Sequence, residues 1–206
     1  MRTISAAILG AILFAAVPAI AAAEPEQVGK VDKVQGEASA YQQSQRRSLS
    51  PAAAVLYQDR LRTGASARLQ ATLLDGSQLT LGENGSLTVD DFVYKPGRRG
   101  GTLAIKVRGA FLFVGGKVEG PRGGNVTIDT PIGTLGVRGT TVWGGRIDGG
   151  YGVIVLDGQV EVKTAKGTVV LNKGQGTMMW GGGGPGKPAA WPDRRVKKAV
   201  ATITFK

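Results

Sequence analysis

Ala67-Arg68-Leu69-Gln70-Ala71-Thr72-Leu73-Leu74-Asp75-Gly76-Ser77-Gln78-Leu79-Thr80-Leu81 alternates apolar and polar side chains on both sides of an Asp-Gly pair. A period of two puts Ala67, Leu69, Ala71 and Leu73 on one face of a strand and Arg68, Gln70 and Thr72 on the other. Asp75-Gly76 is the residue pair that favours a type I′ hairpin turn, and Gln78 to Leu81 resumes the alternation.

The same grammar continues outward. Gly85 and Leu87 to Val89 read as a strand that Phe92 to Tyr94 extends past Asp90-Asp91. Leu103 to Arg108 alternates, with Lys106 and Arg108 on the polar face. Ala110 to Val114 is apolar throughout and fits a strand buried on both faces. Val126 to Ile128, Val153 to Leu156, Val160 to Lys163 and Val169 to Leu171 follow. Leu156-Asp157-Gly158 echoes Leu74-Asp75-Gly76, which reads as a second turn or as two halves of one repeated β unit. Pro51 to Leu61, rich in alanine, reads as a short helix or an irregular crossing. Glycine occurs 33 times in 206 residues without a three-residue period, so it punctuates short strands and excludes collagen. The expected fold class is all-β, a solenoid-like or two-sheet stack of short, glycine-punctuated strands.

Arg2 and the apolar run from Ile4 to Val17 precede two small-x-small sites, Ala19-Ile20-Ala21 and Ala21-Ala22-Ala23. This is the layout of a secretory signal peptide, and the run falls short of the roughly 20 residues a membrane span needs. Residues 1–23 are therefore expected to be removed, with the mature chain starting at Ala22 or Glu24, carrying no transmembrane segment and residing in the periplasm or outside the cell. The formal charge of +11 drops by Arg2 alone, to +10.

The residues absent narrow the chemistry. The chain has no Cys and no His. Disulfides are out, and so are thiol nucleophiles, His-dependent serine triads and most zinc, copper and haem sites. Gly181-Gly182-Gly183-Gly184-Pro185-Gly186-Lys187-Pro188 nearly spells a phosphate loop. Pro188 stands where Ser or Thr must bind magnesium, and no strand-loop-helix context surrounds it. Gly174-Gln175-Gly176 begins a dinucleotide fingerprint but has Met179 in place of the third glycine. Asp90 and Asp91 are adjacent and point to opposite faces of a strand. Asp75, Asp148 and Asp157 sit in turn contexts. No cofactor, metal or catalytic residue is expected.

Thr130-Pro131-Ile132-Gly133-Thr134-Leu135-Gly136-Val137-Arg138-Gly139-Thr140-Thr141 is the other informative stretch. Before it come a first strand over Val28 to Gly36, the segment Asp59-Arg60-Leu61-Arg62-Thr63-Gly64, and the alternating element ending in Asp-Gly-Ser. After it a strand pair leads to Gly174-Gln175. In this order the blocks, from Val28 to Gly176, resemble the FecR domain, a periplasmic module of bacterial signalling and envelope proteins. Thr141-Val142-Trp143 departs from the acidic or polar residue and aromatic often found after the Arg-Gly-Thr. The signalling members place a cytoplasmic segment and a membrane helix ahead of the domain. A signal peptide in that place implies that this chain does not itself hold a cytoplasmic sigma factor.

The resemblance implies a non-enzymatic module for protein–protein interaction, scaffolding or envelope signal relay, with an envelope protein as partner. Thr130, Pro131, Gly133, Val137, Arg138, Gly139 and Thr140 form the family signature and read as structural. Arg138 is expected to satisfy buried carbonyls or to pair with Asp129 or Asp157; presentation to a partner's carboxylate or phosphate is the alternative.

The domain is expected to span residues 24–180. Residues 181–206 read as a glycine-rich linker and a basic tail that few contacts tie to the core. Val200, Ile203 and Phe205 could add a final edge strand, and Trp180 and Trp191 could pack the linker back. Arg194, Arg195, Lys197 and Lys198 in that tail are the candidate polyanion contacts. With Arg46-Arg47, Arg98-Arg99, Lys106, Arg108 and Arg122 they support a rival reading, a binding module for anionic cell-envelope glycan. Nucleic acid fits poorly, because export removes it and no aromatic-basic motif is present.

Overall fold

The structure, a computed structural model, describes residues 25–97, 100–119 and 124–206. The expected signal peptide, Arg98-Arg99 and Arg122 lie outside the described residues. The strands in chain order are β1 (Gln27–Gln35), β2 (Ala38–Gln42), β3 (Gln45–Ser48), β4 (Ala54–Leu56), β5 (Arg60–Thr63), β6 (Arg68–Leu73), β7 (Gln78–Leu81) and β8 (Ser86–Val93). They continue with β9 (Thr102–Arg108), β10 (Phe111–Val114), β11 (Asn125–Thr130), β12 (Gly133–Ile147), β13 (Gly150–Thr164), β14 (Gly167–Asn172), β15 (Gln175–Met179) and β16 (Ala189–Ala190). One helix, α1 (Asp193–Ala201), ends the chain.

The all-β class holds. The sheet runs β3-β2-β5-β8-β9-β11-β12-β10-β7-β6-β1-β4, and β13 branches from β12 to carry β14, β15 and β16. This is a curled half-barrel; the finer expectation of a solenoid or a two-sheet stack is not established by the pairing. The two ends of the path are drawn together. Arg47 on β3 donates to the Ala54 carbonyl on β4 at 3.4 Å and pairs with buried Asp59, which also accepts the Leu56 N–H at 2.8 Å. Pro51 to Leu61 is thus strand, turn and strand, with no helix.

The alternation of the opening stretch is realised on β6 and β7. Leu69, Ala71, Leu73, Leu79 and Leu81 are buried in the main core. The Asp75-Gly76 turn differs from the type I′ expectation. Only Gly76 has positive φ, at 86°, and its N–H closes a turn onto the Leu73 carbonyl at 2.9 Å. A type I′ turn needs both central residues left-handed. Asp75 is fully buried and accepts the Ser77 N–H, the Ser77 hydroxyl and the Val118 N–H, so its carboxylate stitches the hairpin to the turn at Lys117–Glu119. The two-residue type I′ loop occurs instead at Asp148-Gly149, where φ is 50° and 80° and Ile147 faces Gly150. Asp157-Gly158 is no turn: β13 runs straight through it.

The β12–β13 ribbon is buried on both sides. Val142, Val153 and Val155 enter the main core. Trp143, Ile147 and Ile154 point the other way, into a second cluster with Met178, Trp191, Ala199 and Ile203. Alternation across a doubly covered strand yields two apolar sets, which explains the unbroken apolar run Val153 to Leu156. In β10, Phe111 and Phe113 fill the main core while Leu112 is half-buried against the second cluster.

The C-terminal segment is the main correction. It is neither a free tail nor a closing strand. The glycines are pinned by β16, which pairs with β15, and by Gly186, whose N–H donates to the Met178 carbonyl at 3.1 Å. Val196, Ala199, Val200 and Ile203 recur at i, i+3, i+4 and i+7, the stripe of an amphipathic helix. Asp193 in the first turn and Lys198 near the end suit the helix dipole. Trp191 stacks edge-on against Trp143, ring centroids 6.1 Å apart, over a floor made by Gly152 and Gly176, which leave no room for a Cβ. The Trp143 indole N–H donates to Thr202 Oγ1 at 3.1 Å. Trp180, by contrast, is 56% exposed.

Truncation after Trp180 therefore strips the cover from a fully buried tryptophan. It is expected to cost at least about 3–5 kcal/mol, the scale of deleting a buried Trp or Phe side chain. Urea melts of the truncated and full chains measure the difference.

Candidate functional site

The signature stretch occupies the point where the sheet changes course. β12 pairs with β11 from Gly133 to Val137, then with β10 from Thr141 to Gly144, while β13 accompanies it along both halves. The β12–β13 register shifts between Arg138 and Thr141. Gly139 has φ of 59° and Gly158, on β13, has 80°. A Cβ at Gly139 would meet nothing, so glycine is required there by its left-handed backbone. A Cβ at Gly158 would run into the Gly139 carbonyl, so glycine is required there also by space.

Thr140 locks this bulge. Its hydroxyl lies 2.6 Å from the Arg138 carbonyl, 2.9 Å from the Gln159 carbonyl and 3.1 Å from the Arg138 N–H, which it accepts. Its N–H donates to Glu119 Oε2 at 3.0 Å, and its carbonyl accepts the Gly115 N–H at 2.9 Å. Burial pushes the Glu119 carboxyl above the usual carboxylate range, opposed by the backbone N–H groups of Thr140 and Gly139. Val137 is buried in the main core. Thr130 donates its hydroxyl to the Gly133 carbonyl at 2.7 Å, closing the turn around exposed Pro131, and Gly133 lies against the Lys163 carbonyl.

Arg138 stands apart from the other signature residues. Its side chain is exposed and makes no hydrogen bond or ion pair among the described residues. The partners expected for it are engaged elsewhere: Asp129 accepts the Thr134 hydroxyl at 2.6 Å, and Asp157 pairs with Lys173 at 2.9 Å. The backbone of Arg138 is structural and its guanidinium faces solvent.

The basic residues of α1 also divide. Arg195 and Lys198 grip Asp148 at the β12–β13 turn, at 3.0 and 2.7 Å, and hold its carboxyl below the usual range. Arg195 also lies over the Trp191 ring, 5.4 Å from its centroid. Arg194 and Lys197 are exposed, without partners among the described residues. Only these two of the four remain outward-facing cations.

A feature not singled out in the sequence is a large groove beside the Thr130–Gly133 turn, with a volume of about 1210 Å³. Arg68, Arg108, Arg146, Lys166 and Lys198 line it against a single carboxylate, Glu83. These cations come from five separate segments, which no linear motif could reveal.

The FecR protein family model matches residues 59–161, from buried Asp59 through the whole of the bulge. The chain belongs to the FecR family. The match takes in the Asp59 anchor, the Asp75 hairpin and the glycine pair of the ribbon. Two crystal structures of a candidate anti-sigma factor from Parabacteroides distasonis ATCC 8503, at 2.50 and 1.65 Å, share the fold. Each has 15% sequence identity and a TM-score of 0.55 over 68% of this chain. The likeness covers 63% and 64% of the two crystallised chains, less than two thirds of their length. No curated protein matches the sequence. Among the described residues no helix is long and apolar enough to cross a membrane.

The FecR signature is thus expected to answer to two kinds of substitution. Gly139→Val forces a β-branched residue into the left-handed region and should cost about 1–3 kcal/mol. Gly139→Asn, which tolerates that region, should cost less. Denaturant melts of the two variants order the penalties.

Proposed function

We propose that this FecR protein is a non-enzymatic regulatory module, exported to the periplasm or secreted, that binds an envelope protein in a signal relay or scaffold. The observation that carries this reading is the exposed guanidinium of Arg138, on a bend that Gly139 and Gly158 permit and the Thr140 hydrogen bonds hold. A planar fork of donors with no internal partner suits bidentate capture of a partner's carboxylate. Arginine is also among the residues that dominate interface energies, and a fixed backbone limits the entropy lost on binding. The description of the Parabacteroides distasonis protein as a candidate anti-sigma factor supports a regulatory role. The apolar N-terminal run supports a partner in the envelope, on the side to which the chain is exported.

Arg138→Ala is expected to leave the urea midpoint unchanged and to weaken capture of the envelope partner by tenfold or more, since a central arginine contact is worth on the order of 2 kcal/mol. Unchanged capture would return Arg138 to the solvated surface. A drop in the midpoint as large as the loss of capture would make its role structural.

Export has its own readout. N-terminal sequencing of protein from the envelope fraction should begin at Ala22 or Glu24. Recovery of a chain beginning at Met1 in the membrane pellet would mean an uncleaved anchor.

A further inference from the structure

The groove beside the Thr130–Gly133 turn is not an ordinary solvated face. Arg68 in its wall is only 7% exposed. One of its terminal nitrogens donates to the Ala67 carbonyl at 2.7 Å, and Glu83 stands 3.9 Å away, yet its Nε has no hydrogen-bond partner among the described residues. Tyr151, in the same lining, is 7% exposed, and its hydroxyl is buried without a hydrogen-bond partner among those residues. Burial pushes that phenol far above its ordinary range, opposed in part by the neighbouring Thr130 side chain. Both atoms lie beneath the surface, so the donors that reach the groove are those of exposed Arg108, Arg146 and Lys166, a set that an anion would satisfy.

The groove continues. A second depression of about 600 Å³ shares Asn84, Arg108 and Pro131 with the first and adds Arg60, Arg62 and Lys106. Lys106 is held by Asp90 at 2.5 Å, and Asp129 is the one carboxylate in the lining. Arg60 and Arg62 lie over the Tyr41 ring, each 5.7 Å from its centroid. The two depressions together are open and carry more cations than carboxylates, which fits a chain of repeated negative charge better than a single small ion.

We infer that this double groove binds an anionic polysaccharide, a chain of sugar units bearing carboxylate or phosphate. Three observations favour a saccharide over other polyanions. A peptide in a β-rich cleft usually extends a free strand edge. The strands that line the second depression, β5, β8, β9 and β11, are each paired on both sides, so no edge is free there. A single-stranded nucleic acid stacks successive bases on several aromatic rings. Here one exposed ring, Trp180, stands at the rim, its indole against Gly150 of the lining. The Asn84 amide and the Ser86 and Thr88 hydroxyls interleave with the arginines, as a polyhydroxylated chain requires. This site is separate from Arg138 and stands whether or not that arginine binds a protein.

The test is titration of the full mature protein with four defined probes: an oligogalacturonate, a phosphomannan oligosaccharide, poly-glutamate and oligo-deoxythymidylate. The expected result is salt-sensitive binding of one or both acidic saccharides, tighter than to poly-glutamate or the oligonucleotide. The double change Arg108→Ala, Arg146→Ala removes exposed side chains and should weaken saccharide binding by roughly tenfold or more with an unchanged melting temperature. Arg194→Ala with Lys197→Ala, on the outer face of α1, should leave saccharide binding unaltered, and so should Arg138→Ala. Failure of both saccharides to bind at low salt overturns the inference. So does tighter binding of poly-glutamate or the oligonucleotide, or equal loss from the groove and helix variants, which would mark a general charge effect.

Discussion

The structure depends on one local conflict between a strand and its neighbours. β12 must leave β11 and join β10 while never releasing β13, and a regular extended strand cannot do this. The left-handed backbone at Gly139, set against the positive-φ backbone at Gly158, supplies the bend. Breaking the ladder there leaves backbone groups without strand partners. Thr140 collects them: its hydroxyl reaches the Arg138 and Gln159 carbonyls, and its N–H finds Glu119. The half-buried Glu119 carboxyl, its pKa raised by burial, ends this network through one of its oxygens.

The bend has a consequence for the rest of the fold. It carries the ribbon across the sheet with both faces covered, so the apolar residues of β12 and β13 form two cores. The inner core closes inside the half-barrel, where Asp59 and Arg47 draw β3 and β4 together. The outer one needs a cover, and α1 provides it. The ion pairs from Asp148 to Arg195 and Lys198 are partly exposed and contribute little by themselves. Their effect is to fix the helix over Trp143, where the buried apolar surface does the stabilising.

Much of this was legible in the residues. Period-two alternation places β6, β7 and β9, and the ordered blocks from Val28 to Gly176 point to the family that matches residues 59–161. The errors have physical causes. Asp-Gly at 157–158 looks like the pair at 75–76, but a left-handed glycine serves a bulge as well as a turn, and only the partner strand decides which. The helix was hidden because a glycine run and a string of arginines and lysines dominate the composition, while the stripe Val196, Ala199, Val200, Ile203 emerges only at a helical period. An arginine among apolar residues suggests burial, but on the strand Val137 faces inward and Arg138 faces out. The groove was invisible because its cations converge from segments far apart in the chain.

The charge of the chain also acquires a geometry. Among the described residues six carboxylates, those of Glu37, Asp59, Glu83, Asp90, Asp148 and Asp157, are engaged by cations within the fold. These pairs tie strand to strand, helix to hairpin and the half-barrel's ends to each other. Acidic groups spent in this way cannot neutralise the cations left over. Arg108, Arg146 and Lys166 therefore line the first groove together, opposed there by one carboxylate already near Arg68. Like charges gathered in a concave surface repel, and the low-dielectric walls sharpen their field. A fold selected only for stability would disperse them. Their concentration in one concave surface follows if an anion is held between them.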